Sequence, residues 1–95
     1  MLIQKPLSQG DVVSIKLLTG EEVLGRFDSV NDSEIHIKRP CSVAMGPQGM
    51  GMVPWMLTAA PETTKLNKNT VITYTPTDSE IAKAYTEATS NIKLA

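Results

Sequence analysis

The sequence has few of the residues on which many protein functions depend. It holds one cysteine, Cys41, and one histidine, His36, so it forms no internal disulfide and offers no ligand spacing for a zinc site. We therefore expect Cys41 to be a free, buried thiol in a reducing compartment. We also expect no metal and no other cofactor.

The chain also lacks an excess of charge of either sign. Nine basic and ten acidic residues give a formal net charge of -1, which lacks the basic excess of a protein that binds a phosphate backbone non-specifically. Strong non-specific DNA binding by a monomer is thereby excluded. The first six residues are far short of the apolar core of a signal peptide, and no run reaches a membrane span of about 20 residues. We expect a cytoplasmic protein without a membrane partner.

The chain has the size and composition of one small globular domain. Its 95 residues are 41% apolar, and neither a linker nor an internal repeat divides them, so residues 1–95 are predicted to be a single domain. A core of this size is modest. Oligomerisation is therefore expected to contribute to stability.

A period of two dominates the first part of the chain. Apolar and polar residues alternate in residues 12–17, 23–28 and 35–37, the pattern of strands with one buried face. The connections are so short that they predict an antiparallel meander. Gly25 lies inside the second strand, where it predicts a sharp bend or a close backbone approach.

The middle of the chain is less regular. Pro40 is expected to end the third strand or to sit at a bulge, because proline cannot donate to a ladder. The glycines of residues 46–51 predict a flexible hairpin loop. Residues 53–60 are interpreted as a fourth strand that is interrupted near Pro54, residues 61–69 as a polar, turn-rich segment, and residues 70–75 as a fifth strand.

The period changes near the end of the chain. Thr77 and Glu80 form a capping-box pattern, and apolar residues then recur at helical spacing. These residues are Ile81, Ala84, Tyr85, Ala88 and Ile92. The sequence thus predicts an amphipathic helix over about residues 78–91, with Thr77 as its N-cap and its apolar stripe docked on the rest of the domain.

Short strands with a glycine-bent second strand and one helix suit three small barrels: Sm-like, SH3-like and truncated OB-folds. Residues 12–27, VVSIKLLTGEEVLGRF, resemble the opening motif of the Sm-like (Lsm) family, a hydrophobic strand followed by a turn glycine and a second glycine. Residues 28–37 are similar to that family's return into its third strand, with weaker similarity at residues 66–74. The short chain and C-terminal helix are similar to Sm-like proteins of tailed phages that infect marine cyanobacteria.

The resemblance implies an all-β fold with one helix. We expect a small, five-stranded, strongly bent antiparallel barrel over about residues 10–76, followed by the C-terminal α-helix.

The resemblance also implies a homo-oligomeric, closed ring in which the fourth strand of one subunit pairs with the fifth strand of the next. The number of subunits does not follow from the sequence. The residues expected at that interface are Val53, Trp55, Leu57, Val71, Ile72 and Tyr74.

Sm-like proteins bind single-stranded RNA in two turns at the pore of the ring. By resemblance, these turns fall on Asn31, Asp32, Ser33, Asn67, Lys68 and Asn69. The chain departs from the family because neither turn carries an aromatic residue, and the arginine and glycine of the second turn are missing. Stacking of a base on an aromatic side chain is worth about 1 to 3 kcal/mol, so the departure matters.

Two functions therefore stay open. One is a ring-forming RNA-binding protein of RNA metabolism or regulation, and the other is a structural or protein-interaction ring without a nucleotide site. An enzyme is not expected, because the sequence has no nucleophile elbow, P-loop or dinucleotide fingerprint. His36 is expected on the strand face opposite the core or at an interface, and Glu21 and Glu22 at a solvated hairpin tip.

Overall fold

We describe residues 6–91 of the chain in a computed structural model. They form an open, antiparallel sheet with the order β4-β3-β2-β1-β6, in which β5 also pairs with β3, followed by one helix. The elements are β1 (Val12–Leu17), β2 (Glu22–Val30), β3 (Glu34–Gly46), β4 (Gly49–Pro54), β5 (Thr64–Asn67), a 3-10 turn (Lys68–Thr70), β6 (Val71–Pro76) and α1 (Ser79–Asn91). The predicted class, mainly β with one C-terminal helix, is confirmed.

The sheet has six strands, whereas five were predicted, because one edge strand is split. Strand β4 pairs with the second part of β3 and β5 with its first part, so both follow the same edge of β3 in the same direction. Residues 55–63 leave the sheet between them, and we call them the edge loop.

The predicted fourth strand at residues 53–60 is therefore wrong beyond Pro54. The segment predicted to be only turns, residues 61–69, contains β5. Thr64 and Leu66 alternate with exposed residues and point into the core. Their burial in the sheet outweighed the polar composition around them.

One face of the curved sheet encloses the main core. Residues of β1, β2, β3 and β5 alternate into it, and partly buried Leu7, Trp55 and Val71 pack against it. The buried members are Val13, Ile15, Leu17, Val23, Phe27, Ile35, Ile37 and Leu66. The predicted alternation in the first three strands is thus confirmed.

Gly25 lies at a close approach of two backbones, as predicted. A Cβ atom at this position would lie 3.0 Å from Cδ1 of Ile37 and 3.1 Å from the carbonyl oxygen of Lys38. Gly25 faces a bulge in β3, where the register slips at Arg39 and Pro40. Pro40 thus sits at a bulge, one of the two predicted outcomes, and β3 continues beyond it to Gly46.

Helix α1 covers the other face of the sheet. Tyr85, which is fully buried, packs with Val12, Leu24 and Cys41, and Ile81 lies against this second cluster. The predicted docking of the helix on its own domain is confirmed for these residues. Ile92, predicted to extend the apolar stripe, lies outside the described residues.

The helix N-cap is Asp78 and not Thr77. The carboxylate of Asp78 accepts hydrogen bonds from the backbone N–H groups of Glu80, at 3.1 Å, and Ile81, at 3.3 Å. The hydroxyl of Thr77 is 2.7 Å from that of Ser14 on β1 and is engaged there. The N-cap was predicted one residue too early, because Thr77 contacts the sheet. With Asp78 as the N-cap, the third helical residue is Ile81 and not Glu80, so the predicted capping box is wrong.

No helix within residues 6–91 has the length and apolar character needed to cross a membrane. Cys41 is free and buried, as expected, and its burial raises the pKa of the thiol.

Candidate nucleic-acid interface

The two turns singled out from the sequence lie side by side. The backbone N–H of Lys68 donates to the carbonyl oxygen of Ser33 at 2.8 Å, and Glu34 faces Asn67 in the β3–β5 ladder. We call residues 31–33 and 67–69 together the corner. The corner thus unites all six residues predicted for an RNA site.

An asparagine folds each turn. The side-chain oxygen of Asn31 accepts hydrogen bonds from the N–H groups of Ser33, at 2.9 Å, and Glu34, at 2.8 Å. That of Asn67 accepts from the N–H of Asn69 at 2.9 Å and starts the 3-10 turn. Asparagine favours such local bonds because its short side chain mimics a backbone carbonyl.

The asparagines therefore present one kind of group to solvent. Since the oxygens of Asn31 and Asn67 bind backbone N–H groups, their Nδ2 amides are left as donors. Within residues 6–91, the Nδ2 of Asn67 has no hydrogen-bond partner, whereas the side chain of Asn31 also helps to lower the pKa of the neighbouring Glu34 carboxyl by hydrogen bonding. Asn31, Asp32, Ser33, Asn67 and Asn69 are exposed, and Lys68 is half-buried.

Charges of both signs surround the corner. His36 donates from Nε2 to Oε1 of Glu34 at 3.0 Å, and its Nδ1 lies 3.4 Å from the hydroxyl of Ser29. The hydrogen bond from His36 lowers the pKa of the Glu34 carboxyl, with a smaller contribution from the charge of Lys65. Glu34 is thus an ionised, partnered carboxylate, and its charge is offset locally.

His36 faces away from the main core, as expected. It alternates with Ile35 and Ile37, which are both fully buried, while its own side chain is partly accessible. Both of its ring nitrogens have hydrogen-bonding neighbours.

Sequence reasoning missed Lys65 as a neighbour of the corner. Lys65 lies opposite His36 in the β3–β5 ladder, is exposed, and acts electrostatically on Glu34, so a second cation lies next to the corner. The alternation of Thr64, Lys65 and Leu66 was the available signal. It was too short to be distinguished from a polar turn.

The residues predicted for a subunit interface fall on opposite edges of the sheet. Val71, Ile72 and Tyr74 lie on β6, where Ile72 is 58% exposed. Val53 lies on β4, near the other edge. Trp55 and Leu57 lie in the edge loop, which corrects their predicted place on a fourth strand, while their role at a subunit interface stays a prediction.

Trp55 packs and hydrogen-bonds within its own chain. Its ring packs against the main core, and its indole Nε1 donates to Oε2 of Glu21 at 3.0 Å. The same carboxylate oxygen is 3.4 Å from the hydroxyl of Ser42. Glu21 lies at an exposed hairpin turn, as expected, and in addition it holds the start of the edge loop through Trp55.

No protein-family model matches the chain, and no curated protein matches it significantly. Function therefore has to be argued from the residues themselves.

Proposed function

We propose that the chain is an Sm-like subunit that assembles into a closed ring and binds single-stranded RNA through the corner. The observation that carries this proposal is the union of both turns by the Ser33–Lys68 hydrogen bond, at 2.8 Å. It makes one exposed surface from two segments that are distant in the sequence. Repetition of that surface around a ring would convert weak contacts into avidity.

The unpaired strand edges support assembly. Within residues 6–91, β5 pairs only with β3, and β6 pairs only with β1. Exposed edges tend to pair with another chain unless they are blunted or covered. We propose that β5 of one subunit pairs with β6 of the next. Strand β5 takes the place that was first expected for residues 53–60.

Exposed apolar side chains on β6 also support assembly along this edge. Ile72 is 58% and Tyr74 37% exposed in the single chain. A neighbouring β5 would cover both side chains. Because the two edges differ, the contact is head to tail. Such contacts close into a ring when the rotation that relates neighbouring subunits is a whole fraction of a full turn.

The ring is tested by measuring mass in solution. Light scattering at micromolar protein should give a single species several times the mass of the chain. Ile72→Lys places a charge at the proposed contact without touching the core, and it should shift this species to monomer. Met45→Lys is the matched control, because Met45 is 77% exposed at the far end of β3. A monomeric parent protein refutes the ring.

The groups at the corner suit a polyanion with acceptor atoms. Lys65 and Lys68 supply positive charge, and the exposed Nδ2 group of Asn67 supplies a donor for phosphate or base oxygens. Asp32 opposes binding through its charge. We therefore expect modest affinity per subunit with a measurable dependence on salt.

RNA binding is tested by fluorescence anisotropy with short oligo-U, oligo-A and single-stranded DNA at two salt concentrations. Lys68→Gln and Lys65→Gln should each weaken binding and flatten the salt dependence, since each lost phosphate contact lowers the slope by about 0.7. Lys83→Gln is the matched control, because Lys83 is an exposed lysine on α1. Unchanged affinity and slope in both corner variants would refute the corner as the site.

A protein-interaction ring without a nucleotide site is the second candidate. It is favoured by exposed apolar side chains outside β6, above all Leu57 at 84% and Met45 at 77% exposure. Exposed apolar patches commonly mark protein contacts. A ring that binds no oligonucleotide at micromolar concentration and low salt would make this the better account.

A further inference from the structure

A cleft of about 490 Å³ lies where the β3 bulge, the edge loop and the last turns of α1 meet. Its volume is within the range of about 300 to 1,000 Å³ that is typical of small-ligand sites. Its apolar lining includes Pro40, Cys41, Met56, Ala60 and Pro61.

Two adjacent cations, Lys38 and Arg39, line the same cleft and are exposed. They belong to the bulge, and Arg39 adopts a left-handed backbone conformation with φ of 52°. Such a conformation is unusual for a residue other than glycine, and it is often found where a protein positions a functional group.

The helix holds this bulge in place. The hydroxyl of Tyr85, within hydrogen-bond reach of both peptide carbonyls, lies 3.2 Å from that of Lys38 and 2.8 Å from that of Arg39. The guanidinium of Arg39 donates to the carbonyl oxygen of Thr89 at 3.3 Å. The two cations are therefore presented by a fixed backbone and not by a mobile loop.

We propose that this cleft binds a small amphiphilic anion: an apolar body seated against the prolines, methionine and alanine, with its acidic head at Lys38 and Arg39. The site is separate from the corner and requires neither the ring nor RNA. Glu62 is the acidic side chain among the described lining residues. Glu62 should lower the affinity for such an anion without preventing its binding, because two cations oppose this one negative charge.

Two fluorescent probes that differ in one charged group test the proposal. 8-Anilinonaphthalene-1-sulfonate is an aromatic anion, and N-phenyl-1-naphthylamine is the same aromatic body without the sulfonate. The purified full-length chain should bind the anion with one site per chain and at least several-fold more tightly than the neutral probe.

Substitutions then locate the binding site. Lys38→Gln and Arg39→Asn should each lower the affinity for the anionic probe by about tenfold, which corresponds to the loss of one charge-assisted contact, and should leave the affinity for the neutral probe unchanged. Asparagine is chosen at Arg39 because it tolerates the left-handed conformation. Glu62→Gln should raise the affinity for the anionic probe. Lys83→Gln, on α1 outside the cleft lining, should change the affinity for neither probe.

A larger side chain tests the apolar part. Ala60→Trp in the edge loop should fill the cleft and weaken both probes, with an unchanged circular dichroism spectrum. Equal binding of the two probes, or an anionic affinity that neither Lys38→Gln nor Arg39→Asn alters, would overturn the proposal. Should Arg39→Asn fail to fold, Lys38→Gln decides, since its exposed side chain carries no packing in the core.

Discussion

The peptide N–H of Lys68 donates to the carbonyl oxygen of Ser33 at 2.8 Å, which joins two turns that are separated in the sequence by β3, β4 and β5. This bond closes the end of the β3–β5 ladder and fixes the 3-10 turn against the β2–β3 hairpin. The corner is consequently a rigid surface, and its shape depends on the asparagine that folds each turn.

The role of Asn67 as a turn-forming residue can be measured. Asn67→Ala removes the oxygen that accepts from the N–H of Asn69 and should cost about 1 kcal/mol of unfolding free energy. Asn67→Asp keeps this acceptor and should cost less. Chemical denaturation of both variants provides the comparison. Equal losses would show that the side-chain oxygen contributes nothing to the turn.

Gly25 should accept a side chain only at a cost in stability. A Cβ atom would lie 3.1 Å from the backbone carbonyl oxygen of Lys38 and 3.0 Å from Cδ1 of Ile37, so Gly25→Ala should destabilise the domain by about 1 to 3 kcal/mol. Gly51→Ala on β4 is the control, because the nearest atom to its added Cβ is 3.9 Å away. Thermal or urea unfolding measures both. A stable Gly25→Ala protein would contradict the close approach of β2 and β3.

Tyr85 should make stability fall in strong alkali. Burial raises the pKa of its hydroxyl from an ordinary 10.0 to about 12, so the unfolded chain loses this proton before the folded one does. The contribution is fully present below pH 10 and is lost as the pH rises toward 12. Unfolding free energies measured across this range should decline less steeply in Tyr85→Phe than in the parent.

The same variant tests whether the Tyr85 hydroxyl stabilises the β3 bulge. Tyr85→Phe removes the hydrogen bond to the carbonyl of Arg39 and should cost about 1 kcal/mol at neutral pH. A variant as stable as the parent at pH 7, with the same alkaline profile, would mean that the hydroxyl supports neither the bulge nor the pH dependence.

Thr64 offers a stabilising substitution. Its hydroxyl is buried and has no hydrogen-bond partner within residues 6–91. Thr64→Val exchanges this group for a methyl of similar size and should raise the unfolding free energy by about 1 kcal/mol. Thr89→Val is the matched control, since the buried hydroxyl of Thr89 donates to the carbonyl of Tyr85 at 2.9 Å. A gain confined to Thr64→Val, measured by denaturation, supports this reading, and a loss there contradicts it.

The two turns could be anticipated because short polar turns are local signals, whereas their meeting in the corner was implied only by the resemblance to the Sm-like family. Asn31 and Asn67 each fold a turn through bonds to residues two or three positions away, so the sequence carries the information. Lys65 was missed for the opposite reason. Its place beside the corner depends on pairing with His36, a long-range contact that four residues of alternation do not reveal.

The split edge strand shows a similar limit. The sequence placed a fourth strand at residues 53–60, with an interruption near Pro54. In the fold, the β3 bulge at Pro40 interrupts the ladder, and Trp55 turns away to reach Glu21. No periodicity in either segment could have shown that two distant irregularities meet.

The sequence alone determined the alternating strands, the glycine at the close approach, the helix near the end and the two turns, because each depends on the period of a single segment or on bonds between near neighbours. The tertiary structure alone decided how the edge strand divides, which residue caps the helix and where Lys38 and Arg39 stand. Each of these depends on a competition between partners far apart in the chain: Ser14 engages Thr77, and Tyr85 holds the bulge. Such competitions are decided by packing and burial, which exist only once the segments meet.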